Sequence, residues 1–178
     1  MTKIFLSYRR QDSVGVAGRI YDRLRTHFGD DAIFMDIDAI PFGLDFREHI
    51  TSAVDQCGVL LAVIGPHWAG ETGAPRRIDD PRDFVRIEIE AALERNLPVI
   101  PILFDRARMP GEADLPPSLA PLPYRNAIDL DQGRDFHHHI DRLIKGIERL
   151  LQEPALATAA PPRPREKTLG SCRGIGGV

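Results

Sequence analysis

One glutamate occupies a position where the helix that carries it should be apolar. Asp83–Arg95 has the periodicity of an amphipathic helix, and a strand pattern starts at Pro98. At roughly 100° per residue, Glu88 lies roughly 40° from both Phe84 and Ala92, inside the apolar arc. The pattern leaves two interpretations open. Glu88 is either a boundary residue whose tip reaches water or a carboxylate held at the mouth of a pocket. The apolar face comprises Phe84, Val85, Ile89, Ala92 and Leu93, and the solvated side comprises Arg86, Glu90 and Glu94.

Strand and helix patterns alternate along the chain. Such alternation predicts an α/β fold, a flavodoxin-like three-layer sandwich with a five-stranded parallel sheet. Asp12 or Ser13 is expected to cap the first helix, and Asp105–Pro123 is expected to hold at most one or two helical turns. The predicted strands are Lys3–Ser7, Ala32–Met35, Val59–Ile64, Pro98–Phe104 and Asn126–Leu130. The predicted helices are Val14–Phe28, Asp45–Gln56, Asp83–Arg95 and Phe136–Leu150.

Composition and charge limit the kinds of function. Residues 1–152 read as one globular domain, and 153–178 read as a disordered tail rich in Ala, Pro and Gly. The formal net charge of −3 does not favour a nucleic-acid partner. No apolar run approaches the length needed to span a bilayer, so no membrane partner is expected, and the two cysteines have no metal-ligand spacing. A cytoplasmic protein is expected, with Cys57 in the core.

The edge at the C-terminal ends of the strands is where ligands bind in such folds. The segments expected there are Tyr8–Asp12, Asp36–Gly43 and Gly65–Trp68, together with Phe84 and Glu88. No glycine lies in Ser7–Ser13, which excludes a dinucleotide-binding Rossmann turn, and no Gly-x-Ser-x-Gly elbow occurs. Because consecutive helical residues point in different directions, His137-His138-His139 should not bind a metal ion.

Three stretches of the chain form a recognisable series. They are Ile4–Arg10, then Phe34–Asp38 with Pro41–Gly43, and then Phe84–Glu88, an aromatic-x-x-x-Glu element followed by Ala91-Ala92-Leu93. In this order they resemble a Toll/interleukin receptor (TIR) domain of bacterial type, and the resemblance covers about Met1 to Leu151.

The resemblance implies one of two functional classes. Some TIR domains only assemble with other TIR domains, whereas others cleave NAD⁺ between nicotinamide and ribose. In the second class the glutamate of the aromatic-x-x-x-Glu element is catalytic, which maps to Glu88. NAD⁺ is then a substrate rather than a cofactor, and self-association is the expected activator. A bacterial antiphage or signalling role is likewise implied by the family. Phe84 stands where tryptophan is usual, so the apolar ring is kept and the indole N–H is lost.

The leaving group explains why one carboxylate can suffice. Nicotinamide departs as a neutral molecule, so no general acid is needed to protonate it, and the remaining task is to stabilise an oxocarbenium-like ribose. Glu88 suits that task, although it could instead pair with Arg82 or Arg95. Arg9 or Arg10 could contact the diphosphate or lie in a solvated turn. The candidate substrate-binding set comprises Tyr8, Arg9, Arg10, Asp38, Phe42, Gly43, Trp68 and Phe84.

Several roles stay open from sequence alone. Trp68 could stack on a ligand or anchor the packing, and the packing role is favoured. Asp36 is expected to be structural, and Ile40–Gly43 could be a lid or an assembly surface. The leading prediction is an NAD⁺ glycohydrolase or cyclase with Glu88 as the catalytic residue. The alternatives are a non-catalytic TIR–TIR interaction module and an enzyme that transfers ribose from nucleosides.

Overall fold

Five parallel strands form the sheet that carries the site. The computed structural model of the chain describes residues 3–35, 43, 45–71 and 74–152. The strands are β1 (Lys3–Ser7), β2 (Ile33–Phe34), β3 (Cys57–Ile64), β4 (Val99–Phe104) and β5 (Ile128–Leu130). Their order in the sheet is β2-β1-β3-β4-β5, and every neighbouring pair is parallel. This order is the flavodoxin-like one, so the predicted fold class is confirmed.

Helices cover both faces of the sheet and complete three layers. The helices are α1 (Arg10–Phe28), α2 (Phe46–Asp55), α3 (Phe84–Glu94) and α4 (Phe136–Gln152). One apolar cluster packs α1 and α4 against the sheet, and a second cluster packs α2 and α3 against the opposite face. No helix among the described residues is long and apolar enough to cross a membrane.

The alternation of side chains along β1 decides which residues can meet α3. Ile4 and Leu6 belong to the α1/α4 cluster, and Phe5 belongs to the α2/α3 cluster. Because strand side chains alternate between faces, Ser7 should point to the same side as Phe5, and Tyr8 to the other. Tyr8 does pack against the α1/α4 cluster. The last residue of β1 is thus directed toward α3.

The chain changes direction across the sheet between β1 and β3. After β1 it crosses to β2 at one edge through α1, and after β3 it crosses toward β4 through α3. These two helices lie on opposite faces, so the ends of β1 and β3 form the topological switch point, where ligands bind in open α/β sheets. α3 begins beside this point and brings Glu88 to it.

Some predicted boundaries were wrong, each for a local reason. α1 begins at Arg10 instead of Val14, and neither Asp12 nor Ser13 is its cap. Ser13 instead bonds back to the backbone N–H and C=O of Arg9 with its hydroxyl, at 3.1 Å each. Asp105–Pro123 was expected to hold at most two turns, yet this region and its end contain three 3₁₀ turns, Glu112–Asp114, Pro117–Leu119 and Leu122–Tyr124.

The outer side of α3 is less exposed than its sequence predicted. Arg86 and Glu90 were expected to be solvated, but their side chains are only 15% and 21% exposed. They pair with each other at 2.6 Å, and Ser118, from the turn Pro117–Leu119, also bonds to Glu90. A prolyl 3₁₀ turn that covers this side of the helix is a tertiary contact, which helix periodicity cannot reveal.

Candidate active site

The first residues of α3 fix the geometry of the candidate site. Asp83 is the N-cap, and its carboxylate accepts the backbone N–H of Arg86 at 3.2 Å. A capping aspartate satisfies one of the free N–H groups at a helix start and fixes where the first turn begins. Glu88 follows one turn after the cap. The cap therefore sets the position of Glu88 along the helix axis.

Glu88 is a buried carboxylate, not a boundary residue. Only 2% of the residue is exposed, so the interpretation in which its tip reaches water is wrong. Pairing with the suggested arginines is also wrong, because Arg82 bonds to Asp80 and Arg95 bonds to Asp55. The hydroxyl of Ser7 donates to Glu88 Oε2 at 2.5 Å, joining the end of β1 to α3.

Burial sets the protonation state of Glu88. Loss of solvation raises the pKa of the Glu88 carboxyl to about 8. The hydrogen bond from Ser7 acts against this shift, the nearby charge of Asp83 adds to it, and the charge of Arg9 opposes it. A carboxyl with this pKa is mostly protonated at neutral pH. Its ionised form requires either higher pH or a compensating positive charge nearby.

Arg9 makes a buried ion pair that the sequence did not predict. Its guanidinium forks onto Asp83, with nitrogen–oxygen distances of 2.8 and 2.9 Å, and its Nε donates to the carbonyl of Trp68 at 2.7 Å. Both members of the pair are about 4% exposed. The predicted fork of Arg9 onto a diphosphate would therefore need this pair to separate. In the structure, Arg9 ties the turn after β1 to the start of α3.

Two phenylalanines lie next to each other at the start of α3 and α2. Phe84 is 41% exposed, and its ring meets that of Phe46 edge-on at 4.7 Å between centroids. Sequence reasoning named Phe84 but missed Phe46. The available signal was that Phe46 opens the helix after the loop that contains Gly43. The pair presents an apolar aromatic surface one helical turn from Glu88.

The other predicted substrate-binding residues are distributed differently. Tyr8 packs on the α1/α4 side of the sheet, away from the face that carries Glu88. Trp68 is 1% exposed within the α2/α3 cluster, so its ring is not available to stack on a ligand and serves as a packing anchor. Arg10 is exposed at the start of α1, and Gly43 is an exposed turn residue with φ of 89°. Asp38 and Phe42 lie outside the described residues, as does Asp36.

An open cleft of about 580 Å³ lies beside the first turn of α1. Arg9, Asp12, His67 and Arg77 contribute polar groups to its walls, and Glu88 is not among the lining residues. Asp12 accepts the backbone N–H of His67 at 2.9 Å, which joins α1 to the turn after β3. The cleft therefore adjoins the site through Arg9, whereas Glu88 is buried and does not line it.

Cys57 and the run of three histidines are the other residues whose side chains could do chemistry. Burial raises the pKa of the Cys57 thiol to about 11, as expected for a core cysteine. In the run of three histidines, the Nδ1 of His139 accepts the backbone N–H of Asp131 at 3.0 Å. The part of the chain that the structure describes contains no cluster of His, Cys, Asp or Glu side chains arranged to hold a metal ion.

Comparison with known proteins decides the family. The family model described as TIR domain matches residues 4–144. The chain belongs to the TIR domain family. A search of curated protein sequences gave no match.

Solved structures show the same fold in this TIR domain at low sequence identity. The TIR domains of the activated Roq1 resistosome, which directly recognises the pathogen effector XopQ, align with a TM-score of 0.62 and 16% identity. The alignment covers 83% of this chain and 99% of that one. A metazoan TIR-STING receptor from C. gigas, in complex with 2′,3′-cGAMP, aligns with a TM-score of 0.51 and 19% identity, over 78% of this chain and 38% of the receptor chain. At these identities the likeness concerns the fold alone.

Proposed function

We propose that this TIR domain cleaves NAD⁺ at the nicotinamide–ribose bond, releasing nicotinamide and either ADP-ribose or a cyclic isomer. The observation that supports the proposal most is the position of Glu88. Its buried carboxylate accepts a hydrogen bond from Ser7, the last residue of β1, and lies at the switch point of the sheet. An unpaired acid there costs folding free energy, and residues of this kind cluster at functional sites.

The chemistry needs a negative charge near the ribose and no proton donor. As the C–N bond breaks, its electron pair passes to the pyridinium nitrogen, and nicotinamide leaves uncharged. Positive charge grows on the ribose, where a carboxylate stabilises it and can accept hydrogen bonds from the ribose hydroxyls. Water then adds to the anomeric carbon and loses a proton, giving ADP-ribose. In a cyclase, a nucleophilic atom of the same molecule adds in place of water.

The surrounding residues would position the Glu88 carboxylate for this role. Ser7 holds one carboxylate oxygen, and the Arg9–Asp83 pair fixes the helix start that carries Glu88. The pyridinium charge of NAD⁺ would offset the raised pKa of Glu88 and favour its ionised form when substrate binds. The exposed ring of Phe84, beside Phe46, offers a surface for the flat nicotinamide.

Activation by self-association fits the enclosed carboxylate. With Glu88 2% exposed, the residues around it must move before a ribose can reach it. Contacts between copies that favour such an opening would couple assembly to turnover. The Roq1 TIR domains, which share the fold, are part of a resistosome. We therefore include self-association or association with other TIR domains, in signalling or defence, in the proposed function.

The same enclosure favours a second candidate, a non-catalytic TIR–TIR interaction module. In that case the burial of Glu88 would be purely structural, and contacts would run through Ile40–Gly43 and the helix surfaces. The module predicts no NAD⁺ turnover at any protein concentration, with partner binding lost on substitution of Pro41 or Phe42.

The experiment that separates the two measures nicotinamide release from NAD⁺ over a range of protein concentrations. Wild type should release nicotinamide more than proportionally as its concentration rises, and Glu88→Gln should lose at least about a hundredfold of the rate. Glu94→Gln is the matched control, because Glu94 lies on the same helix with its side chain 75% exposed, and it should keep its activity. Unchanged turnover in a folded Glu88→Gln variant would reject the assignment. Free nucleosides as competitors or substrates test the ribose-transfer alternative.

A further inference from the structure

A second candidate site lies at the opposite end of the sheet from Glu88. An open groove of about 620 Å³ runs between the start of β4, the start of β5 and the C-terminal half of α4. Arg125, Arg142 and Arg149 line it together with Gly146, and no lining residue is acidic. Three arginine residues therefore line one concave surface without an acid among its walls.

The three arginines also lack partners among the described residues. Among the described residues, none makes a side-chain hydrogen bond or an ion pair with the guanidinium group of Arg125, Arg142 or Arg149. The acids of α4 are used elsewhere, because Asp141 pairs with Arg23 and Glu148 pairs with His27, both on α1 at 2.8 Å. Pairing toward α1 leaves the positive charge on the groove side of α4 uncompensated.

The spacing of the arginines defines the shape of a ligand. Arg142 and Arg149 are seven residues apart on α4, which places them roughly 10 Å apart along the axis and within about 20° of each other. Arg125 approaches from the segment before β5. Ile100, Ile128 and Leu150 add apolar wall between the charges. The groove therefore combines cations with a surface that suits a flat apolar group.

We propose that this groove binds an organic di- or triphosphate, with the phosphates on the arginines and the apolar part of the ligand on the isoleucine and leucine side chains. Guanidinium groups bind phosphate oxygens in pairs of parallel hydrogen bonds. The volume of about 620 Å³ is that of a small-molecule site and fits a mononucleotide. This site is independent of Glu88 and of the reaction proposed for it.

Gly146 provides a way to close the groove without touching a charge. It lines the groove within α4, and a Cβ built on it would meet nothing within 4 Å. A leucine there would obstruct part of the groove while the helix keeps its conformation. An alanine would add one methyl group and leave most of the groove open. Gly146→Leu and Gly146→Ala therefore form a matched pair of variants that differ mainly in how much of the groove the new side chain blocks.

The test is calorimetric titration of the protein with ADP at physiological salt. Wild type and Gly146→Ala should bind ADP with similar affinity, and Gly146→Leu should lose binding at this groove. Arg142→Gln and Arg149→Gln should each weaken binding about tenfold, as expected for loss of a charged hydrogen-bond partner. Lys145→Gln removes a charge from an exposed residue of α4 that does not line the groove, and it should change affinity by less than about twofold.

Three outcomes would overturn the proposal. The first is no ADP binding to wild type at millimolar concentration, and the second is equal ADP binding to wild type and Gly146→Leu, which would place the ligand elsewhere. The third is equal affinity for inorganic pyrophosphate and ADP, which would remove the role of the apolar wall. Because the probe is ADP and the readout is heat, failure of NAD⁺ cleavage would leave the result unaffected.

Discussion

The two ends of the sheet use charge in opposite ways. At the C-terminal end, Arg9 and Asp83 neutralise each other in a buried pair, and Glu88 is enclosed with a raised pKa. At the N-terminal end, three arginines line an open groove and have no partner among the described residues. A charge in solvent costs little, whereas a buried one must be paired, protonated or used. The comparison therefore predicts large effects of substitution at one end and small effects on stability at the other.

The largest effect is expected from breaking the buried pair. Asp83→Asn keeps an acceptor for the helix cap but leaves the guanidinium of Arg9 buried without a counter-charge. The free energy of unfolding should fall by about 3–5 kcal/mol. Asp141→Asn breaks an aspartate–arginine pair of the same 2.8 Å length whose side chains are 55% and 37% exposed, and it should cost less than about 1 kcal/mol. Denaturant titration measures the free energy of unfolding of the two variants. Equal losses in the two would contradict the expected difference between the buried and the exposed ion pair.

The second effect concerns Glu88 and pH. Its pKa in the folded protein, about 8, lies above the ordinary value of 4.5, so between these pH values the folded protein retains a proton that the unfolded chain has released. The contribution of protonated Glu88 to the free energy of unfolding is fully present below about pH 4.5. It is lost as the pH rises through about 8. Glu88→Gln resembles the protonated form at every pH.

The free energy of unfolding of the Gln variant should therefore match that of wild type near pH 4.5 and exceed it by several kcal/mol above pH 8. Free energies of unfolding measured across this range check the prediction. Glu94→Gln removes an exposed carboxylate from the same helix and controls for the substitution itself. A difference between Glu88→Gln and wild type that stays constant with pH would mean that folding does not raise the pKa of the Glu88 carboxyl.

A smaller effect is expected at Ser7. Its hydroxyl holds the pKa of Glu88 below the value that burial alone would produce, so Ser7→Ala should raise that pKa further. NAD⁺ cleavage should fall about tenfold at neutral pH, from loss of a hydrogen bond to a charged group, and recover in part at higher pH. Ser7→Thr keeps the hydroxyl and should retain more activity. A loss that is identical at every pH would indicate misfolding instead.

The smallest effect belongs to the groove. Gly146→Ala replaces a glycine inside α4 where an added Cβ meets open space, so it should raise the free energy of unfolding by about 0.5–1 kcal/mol. Thermal unfolding of the two proteins gives the comparison. A loss of stability would show that the groove is filled by other parts of the protein.

Sequence reasoning predicted the parts of the site that follow from local patterns. Strand and helix alternation gave the fold class, and helical periodicity placed Glu88 within the apolar arc. Contacts between distant segments could not be read in the same way. The Arg9–Asp83 pair joins residues 74 positions apart, and the Phe46–Phe84 contact depends on how α2 and α3 pack. The role of Trp68 likewise depended on burial, because a tryptophan after a strand is compatible with stacking or packing.

The arginine groove could not be predicted from the sequence either, because it also depends on contacts between distant segments. Arg125, Arg142 and Arg149 are ordinary surface residues in sequence, and nothing in the spacing of Arg125 relates it to α4. They share a surface only because β5 and α4 pack side by side. Their lack of partners also depends on Asp141 and Glu148 pairing with α1, a choice made by helix packing.

The catalytic role of Glu88 is tested by the pH dependence of nicotinamide release. Wild type and Glu88→Gln are assayed side by side from pH 6 to 9, at a protein concentration that supports activity, with uncatalysed hydrolysis subtracted. For wild type, kcat/KM should rise with pH and level off above about 8, following ionisation of Glu88 in the free protein. Glu88→Gln should stay at background throughout. If folded Glu88→Gln released nicotinamide with the same pH profile as wild type, Glu88 would not be the catalytic carboxylate.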